Sequence, residues 1–191
     1  MVGTAPPDST HGRLAFFNGP PSCGKTSLVD ALQHQIAEPW FHLSLDDFRS
    51  GYTNRWWFES DDRRFELLLS GYLASLGEMV LAGNDVLAEA VITPGRRHLY
   101  DGTFGDLPMV LIGVTCPLEV AVLREATRTD RRGGPIDLPA DYFAAVHNGL
   151  SYDLEVDTAK IGPTELAVEL IPKFKRLVAS SFENHSRRGA L

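Results

Sequence analysis

The sequence predicts one α/β domain in which a parallel sheet of five strands is covered by helices on both faces. Two observations lead to this fold class. Short apolar runs, typical of strands buried on both faces, alternate along the chain with longer segments of helical period. The first apolar run also leads into a glycine-rich loop followed by a helical segment, which predicts a strand, loop and helix unit.

The predicted strands are five apolar runs, which cover residues 14–18, 41–45, 86–92, 109–114 and 154–157. A single acid, Glu89, interrupts the third run, whereas the fourth is uninterrupted. In open parallel sheets, ligands bind outside the carboxyl ends of the strands. We therefore expect the functional residues to follow these runs directly.

The predicted helices are recognised by apolar residues that recur at intervals of three and four. They cover residues 25–37, 62–81, 118–128, 140–149 and 163–178. The segment from Asp62 to Leu81 carries one continuous apolar stripe and is the clearest of the five. The remaining stretch, residues 48–61, has no clean period.

The composition fits one compact domain, since 43% of the 191 residues are hydrophobic. Residues 1–12 have almost no apolar content and are predicted to form a flexible N-terminal tail. The domain is expected over residues 13–180, with a C-terminal tail over residues 181–191.

The charge and the cysteine content limit the expected partners. A net charge of −7 argues against nucleic acid, because binding to a phosphate backbone requires a basic face. Two cysteines are too few for a disulfide framework, and no apolar stretch approaches the roughly 20 residues that cross a bilayer. We expect a cytoplasmic protein without a membrane partner. Both a monomer and a homo-oligomer are compatible with the sequence.

The glycine-rich loop matches the phosphate-loop pattern G-x-x-x-x-G-K-S/T. Its glycines let the backbone approach phosphate oxygens, while Lys25 adds a positive charge and the Thr26 hydroxyl can bind Mg²⁺. The pattern therefore predicts ATP and Mg²⁺ as cofactors. The expected nucleotide-binding residues of the loop are Gly19, Pro20, Pro21, Ser22, Cys23, Gly24, Lys25, Thr26 and Ser27.

Two aspartates, Asp46 and Asp47, follow the second predicted strand. An aspartate at this edge of the sheet can accept the proton of an acceptor hydroxyl or orient it for attack on the γ-phosphate. The alternative is that the pair caps the segment that follows. The residues alone do not decide between the two roles.

Glu89 is an acid inside an otherwise apolar strand, where an unpaired charge costs several kcal/mol. We interpret it as a residue that holds a Mg²⁺-bound water or contacts the substrate. The alternative is a structural carboxylate paired with an arginine across the sheet.

Four arginines follow the fourth strand by one helix, namely Arg124, Arg128, Arg131 and Arg132. A lid that closes over the nucleotide would bring such guanidinium groups to the phosphates and expel water. We predict this role for Arg128 and Arg131 in particular, within a mobile, arginine-rich loop over residues 127–138. The alternative is an exposed helix surface with ion pairs to Glu125 and Asp130.

Aromatic residues are concentrated after the two aspartates, at Phe48, Trp56 and Trp57. Large rigid side chains at this place can form the wall of an acceptor pocket, although core packing explains them equally well. The lone His147, near the end of a predicted helix, is interpreted as structural.

The chain resembles the chloramphenicol phosphotransferase family over residues 14–158. The residues that carry the likeness are Asn18-Gly19 to Lys25, Glu38-Pro39-Trp40, Leu45-Asp46, Gly113-Val114-Thr115-Cys116, Arg124-Glu125, Arg128, Asp130-Arg131, Val146-His147, Gly149, Tyr152-Asp153 and Val156-Asp157-Thr158.

This resemblance implies a P-loop NTPase fold of the small-kinase type and ATP-dependent transfer of the γ-phosphoryl group to an alcohol of a small antibiotic. It implies Asp46 as the base, and it places Arg124, Arg128, Arg131 and the Asp157-Thr158 turn around the nucleotide. The family has two aspartates in the third strand where this chain has Glu89-Ala90. Residues 48–61 show little likeness, so the acceptor need not be chloramphenicol.

Two other functions share the same loop. One is a metabolic kinase of a nucleoside, sugar acid or shikimate-like alcohol. The other is a nucleotide-dependent regulatory protein that hydrolyses ATP slowly and signals its state to a partner. The leading hypothesis is an antibiotic O-phosphotransferase that confers resistance.

Overall fold

The computed structural model describes residues 11–51, 62–104, 107–128, 137–138 and 140–188. Within these residues, five strands form one parallel sheet in the order β2-β3-β1-β4-β5. The strands are β1 (Leu14–Asn18), β2 (Phe41–Ser44), β3 (Val86–Ala90), β4 (Met109–Thr115) and β5 (Leu154–Asp157). The predicted parallel five-stranded sheet is confirmed.

The helices of the described residues are α1 (Lys25–Gln35), α2 (Leu45–Ser50), α3 (Asp62–Leu81), α4 (Arg97–Phe104), α5 (Leu118–Ala126), α6 (Ala140–Ala145) and α7 (Pro163–Arg188). A short 3₁₀ turn, Pro94–Arg96, precedes α4. None of these helices combines the length and the apolar character that a membrane-spanning segment requires.

Strand β1 explains why both faces of the sheet carry helices, because all five of its residues are buried. Ala15 and Phe17 pack in a core cluster with residues of α1, α5 and α7. Leu14 and Phe16 point the other way, into a second cluster with residues of α3 and α4. Alternate residues of a strand face opposite sides, so the continuous apolar run fills two cores and confirms the predicted layering.

Two helices were not predicted. Helix α2 begins at Leu45, directly after β2, because Ser44 and Asp47 form a capping box at its start. Helix α4 buries only Tyr100 and Phe104, one turn apart. Six and eight residues are too few to establish a 3.6-residue period, so both helices escape pattern analysis.

Several boundaries also differ. Strand β3 ends at Ala90 rather than at 92, because the N–H of Ile92 donates to the Asn18 side chain instead of a neighbouring strand. Helix α6 ends at Ala145 instead of near 149. Helix α7 continues to Arg188, past both the expected end near 178 and the expected start of the C-terminal tail at 181.

Candidate active site

The phosphate loop connects the central strand β1 to α1, and its two glycines are required by its shape. Gly24 has a φ of 95°, in the left-handed region that side chains disfavour. A Cβ on Gly19 would lie 2.3 Å from the carbonyl oxygen of Val114 on the neighbouring strand. No side chain caps α1 at Gly24, so backbone N–H groups at this helix start are available to an anion.

Lys25 lies against the loop that it follows. Its Nζ donates to the carbonyl oxygens of Gly19 and Pro20, at 2.8 and 2.9 Å. Pro20 thus contributes a carbonyl where its missing N–H cannot serve. Burial raises the pKa of the Cys23 thiol, whose Sγ lies 4.0 Å from Nζ, so this thiol stays neutral beside the ammonium group.

Helix α5 and the turn after β5 support the loop from outside. The Ser22 hydroxyl donates to the buried carboxylate of Glu125. The Arg124 guanidinium donates to the Cys23 carbonyl at 3.2 Å and to the Thr158 carbonyl at 2.8 Å. Arg124 was expected to contact the nucleotide, whereas its observed hydrogen bonds connect two segments of protein. The alternative interpretation of Glu125 as part of an exposed helix surface is wrong, since this side chain is buried.

Glu89 lies beneath the loop and is 2% exposed. One oxygen, Oε2, accepts from the Thr26 hydroxyl at 3.0 Å. The other, Oε1, lies 3.3 Å from Nε2 of His42 on the neighbouring strand. The partner across the sheet is therefore a histidine, not the arginine that the alternative interpretation required.

His42 lies between two carboxylates, because its Nδ1 is 3.2 Å from Oδ1 of Asp30 on α1. Burial alone would lower the pKa of His42, but the hydrogen bond and charge of Glu89, with the charges of Asp30 and Asp47, raise it. These partners favour the imidazolium form, in which both ring nitrogens donate.

The structure gives different roles to the two aspartates that follow β2. An Asp47 oxygen accepts from the backbone N–H of Ser44 at 3.2 Å, which is the capping role that the sequence left open. The Asp46 carboxylate lines the cleft beside the phosphate loop and accepts from Arg49 at 3.0 Å. Only Asp46 is therefore placed to meet a molecule in the cleft.

Phe48 packs edge-on against Tyr72, with ring centroids 5.4 Å apart. The Tyr72 hydroxyl in turn lies 3.1 Å from the carbonyl oxygen of Leu43 and 3.0 Å from that of Glu89, to which it can donate. Burial raises the pKa of Tyr72, so the hydroxyl keeps its proton. The core alternative fits Phe48 best.

One cleft of about 870 Å³ is lined by most of the predicted site residues that the structure describes. The predicted residues that line it are Pro21, Ser22, Gly24, Lys25, Thr26, Ser27, Asp46, Glu89, Arg124 and Arg128. Those of the described chain that do not line it are Gly19, Pro20, Cys23, Asp47, Phe48, Asp157 and Thr158. Trp56, Trp57, Arg131 and Arg132 lie outside the described residues, so the arginine-rich lid stays a prediction.

Sequence reasoning missed a second group of lining residues, namely Asp30, Arg49, Phe65, Thr93, Arg96 and Tyr142. The Arg96 guanidinium stacks over the Phe65 ring, 4.7 Å from its centroid. Burial raises the pKa of Tyr142, and the nearby Arg96 and Arg49 oppose that rise. These residues come from α1, α2, α3, α6 and the turn before α4, so no single local motif could have indicated them.

Asn18, the last residue of β1, is a further buried polar residue next to the loop. Its Oδ1 accepts from the N–H of Ile92 at 2.7 Å, and its Nδ2 donates to the Tyr152 hydroxyl at 2.6 Å. His147 contacts the same hydroxyl at 2.8 Å, and burial lowers the pKa of its imidazole. Asn18 therefore connects the start of the loop to the segment that follows β3 and to the segment that precedes β5.

These features define a P-loop small-molecule kinase. A phosphate loop follows the central strand of a parallel sheet, a hydroxyl and carboxylate pair lies below it, and an aspartate lies across the same cleft. The chain belongs to the chloramphenicol phosphotransferase-like family, whose model matches residues 12–175. The family resemblance is therefore confirmed.

Curated relatives are kinases and phosphotransferases. An adenylyl-sulfate kinase of Shewanella pealeana is 30% identical over 154 residues, which cover 77% of this chain and 74% of that protein. A Mycobacterium tuberculosis protein, named as an inferred O-phosphotransferase, is 29% identical over 185 residues, covering 83% of this chain and 80% of its own length.

Two solved structures show the same fold. The Mycobacterium tuberculosis adenylyl-sulfate (APS) kinase CysC, in complex with AMPPNP and APS, has a TM-score of 0.61 at 16% identity and covers 86% of this chain and 98% of its own. Shikimate kinase from Acinetobacter baumannii, in complex with shikimate, has a TM-score of 0.61 at 17% identity and covers 87% and 94%. The family and its relatives support a phosphotransferase with a hydroxyl acceptor.

Proposed function

We propose that this protein transfers the γ-phosphoryl group of ATP, with Mg²⁺, to a hydroxyl of a small-molecule antibiotic and so confers resistance to it. The observation that carries the proposal is the shared cleft. It brings the phosphate loop, the Thr26–Glu89 pair and the Asp46 carboxylate together around one space of about 870 Å³.

The loop and Lys25 form the donor side. Backbone N–H groups at the start of α1 and the Lys25 ammonium group would bind the phosphate oxygens. Charge on the transferring phosphoryl group is spread over its oxygens in the transition state, so fixed positive groups lower the barrier. Arg128 also lines the cleft and would add positive charge on this side.

The residues present fit Mg²⁺. Thr26 and Glu89 offer hard oxygen donors whose atoms lie 3.0 Å apart. The described residues contain no cluster of three or more His, Cys, Asp or Glu side chains that could hold a metal ion. This is compatible with Mg²⁺, which is usually held by one or two protein groups together with phosphates and waters. When bound, the ion would neutralise phosphate charge.

Asp46 serves the acceptor side. Its side chain is 67% exposed at the cleft, and Arg49 holds one of its oxygens. As the acceptor oxygen bonds to the γ-phosphorus and the bond to the β-phosphate oxygen breaks, the hydroxyl proton moves to the Asp46 carboxylate. The products are a phosphate ester and ADP.

A second candidate is a metabolic kinase whose acceptor carries a negative charge. The specific observation that favours it is the lining of the cleft around Tyr142, where Arg49 and Arg96 both lie. The adenylyl-sulfate kinase relative is compatible with this candidate. No described contact favours the regulatory protein.

The deciding experiment incubates the protein with Mg-ATP and two sets of alcohols, and detects phosphate esters by mass spectrometry. One set contains neutral hydroxylated antibiotics, and the other contains adenylyl sulfate, shikimate and gluconate. The variant Asp46→Asn serves as the matched inactive control. Esters of an antibiotic alone support the proposal, whereas esters of an anionic metabolite alone would replace it with the second candidate.

A further inference from the structure

Four side chains, joined by three contacts, form a ring below the phosphate loop that the backbone of α1 closes. Thr26 donates to Glu89 at 3.0 Å, Glu89 lies 3.3 Å from His42, and His42 lies 3.2 Å from Asp30. Thr26 and Asp30 both belong to α1 and lie four residues apart, so they share one face of that helix. The ring therefore connects α1 to two strands of the sheet.

The sheet register explains how the ring closes. Ser44 pairs with Glu89 and His42 pairs with Leu87 across the parallel strands β2 and β3. Side chains alternate between faces, so His42 and Glu89 project to the same side of the sheet. Leu87 packs in the core cluster that contains residues of α1, which identifies this side as the α1 face.

The ring accounts for both oxygens of a buried carboxylate. The Glu89 side chain is 3% exposed, and each of its oxygens has one partner, Thr26 or His42. Without His42, Oε1 would lose its hydrogen-bond partner in a place where little water reaches, and the carboxylate would be free to turn.

We propose that His42 is a positioning residue. By holding Oε1 of Glu89, it keeps Oε2 against the Thr26 hydroxyl, so that this carboxylate oxygen and the hydroxyl oxygen are both presented to the metal ion of the bound nucleotide. The inference rests on the metal and nucleotide part of the proposed function. Within the described residues, Thr26, Asp30 and Glu89 line the cleft whereas His42 does not. His42 therefore acts through Glu89.

The test distinguishes the contact that Nε2 of His42 makes from the contact that Nδ1 makes. In His42→Gln the amide nitrogen can take the place of Nε2 and donate to Glu89, whereas in His42→Asn it can replace only Nδ1, which faces Asp30. Mn²⁺ is titrated into each protein with the non-hydrolysable analogue AMPPNP, and bound Mn²⁺ is measured by electron paramagnetic resonance. This measurement requires neither an acceptor nor turnover.

We expect His42→Asn to weaken Mn²⁺ binding about 10- to 100-fold, as is typical when the partner of a metal ligand is lost. His42→Gln should stay within about 3-fold of the native protein, because the contact that orients Glu89 is kept. Thermal unfolding of both variants shows whether each is folded. If His42→Asn fails to fold, Asp30→Ala tests the same ring from its exposed end, with an expected loss of a few fold.

Native Mn²⁺ affinity in folded His42→Asn, or equal losses in the Asn and Gln variants, would overturn the inference. If Asp30→Ala is used instead, native Mn²⁺ affinity of that variant would overturn the inference. The outcome is independent of the acceptor: if no alcohol is phosphorylated but His42→Asn alone loses Mn²⁺, the antibiotic proposal fails and the positioning role stands.

Discussion

The two sides of the cleft are built differently. On the donor side, Glu89 and Glu125 are buried, and each accepts from a hydroxyl of α1 or of the phosphate loop. On the acceptor side, the Asp46–Arg49 pair has side chains 67% and 40% exposed. Exposed pairs of this kind contribute little to stability, whereas buried hydrogen-bonded groups fix geometry.

Because of this difference, the residues proposed for phosphoryl transfer are distinct from those proposed to select the acceptor. A rigid donor side can serve any phosphoryl transfer, because the triphosphate is common to all of them. An open acceptor side can change its side chains at small cost to the fold. Under the proposed function, this chain is therefore expected to share the nucleotide chemistry of the family more readily than its acceptor.

The largest expected effect comes from removing the charge on the donor side. Lys25→Ala should reduce phosphoryl transfer at least about 10³-fold, because it removes the ammonium group that lies beside Gly19 and Pro20. Steady-state kinetics with the acceptor found in the alcohol screen measures this loss. Lys173→Ala, an exposed lysine on α7, is the matched control and should match the native rate. Native turnover by Lys25→Ala would remove the donor side from the mechanism.

The second largest effect distinguishes the role of Asp46 from that of Asp47. Asp46→Asn should lower turnover about 10²- to 10³-fold through loss of the base, with nucleotide affinity unchanged. Asp47→Ala should instead cost about 1 kcal/mol of unfolding free energy through loss of the cap of α2, with a much smaller fall in turnover. Turnover assays and denaturant titrations compare the two. The reverse pattern would assign the base to Asp47.

A third prediction concerns the buried Tyr72 hydroxyl, which joins β2 to β3. Tyr72→Phe removes the hydroxyl that bonds to carbonyl groups of β2 and β3 and leaves buried acceptors without it. We expect a loss of about 1–3 kcal/mol in unfolding free energy, measured by urea titration. Tyr142→Phe, whose side chain is exposed, is the control, and a loss as large as that of Tyr72→Phe would contradict the contrast between buried and exposed groups.

The smallest effect is expected at an exposed ion pair that joins the turn before β2 to α7. The hydrogen bond from Lys175 lowers the pKa of Glu38, so the pair stabilises the fold above the ordinary glutamate pKa. That stability is lost as the pH falls through the lowered pKa. Glu38→Gln should cost less than about 0.5 kcal/mol at pH 7, since both side chains are nearly half exposed. Thermal melts at pH 7 and at pH 3 measure the difference, which should vanish at the lower pH.

Much of the fold could be predicted from the sequence, because the patterns that indicate its helices and strands are local. Helix α3 has the predicted bounds, since its apolar stripe runs through five turns. Helices α2 and α4 are shorter than the pattern needs, and their formation depends on a capping box and on packing against the sheet. The end of β3 depends on Asn18, a residue 74 positions away from Ile92.

The site divides in the same way. The phosphate loop could be predicted from the chain alone, because a backbone that wraps an anion needs glycine and lysine at fixed spacing along one short segment. The sequence also marked Glu89 as an unusual acid within an apolar strand. The partners of Glu89 became clear only in the folded molecule, as did the capping role of Asp47 and the position of Asp46 in the cleft. His42, Glu89 and Asp30 meet because of strand register and helix phase, which bring distant residues together and leave no pattern in the sequence.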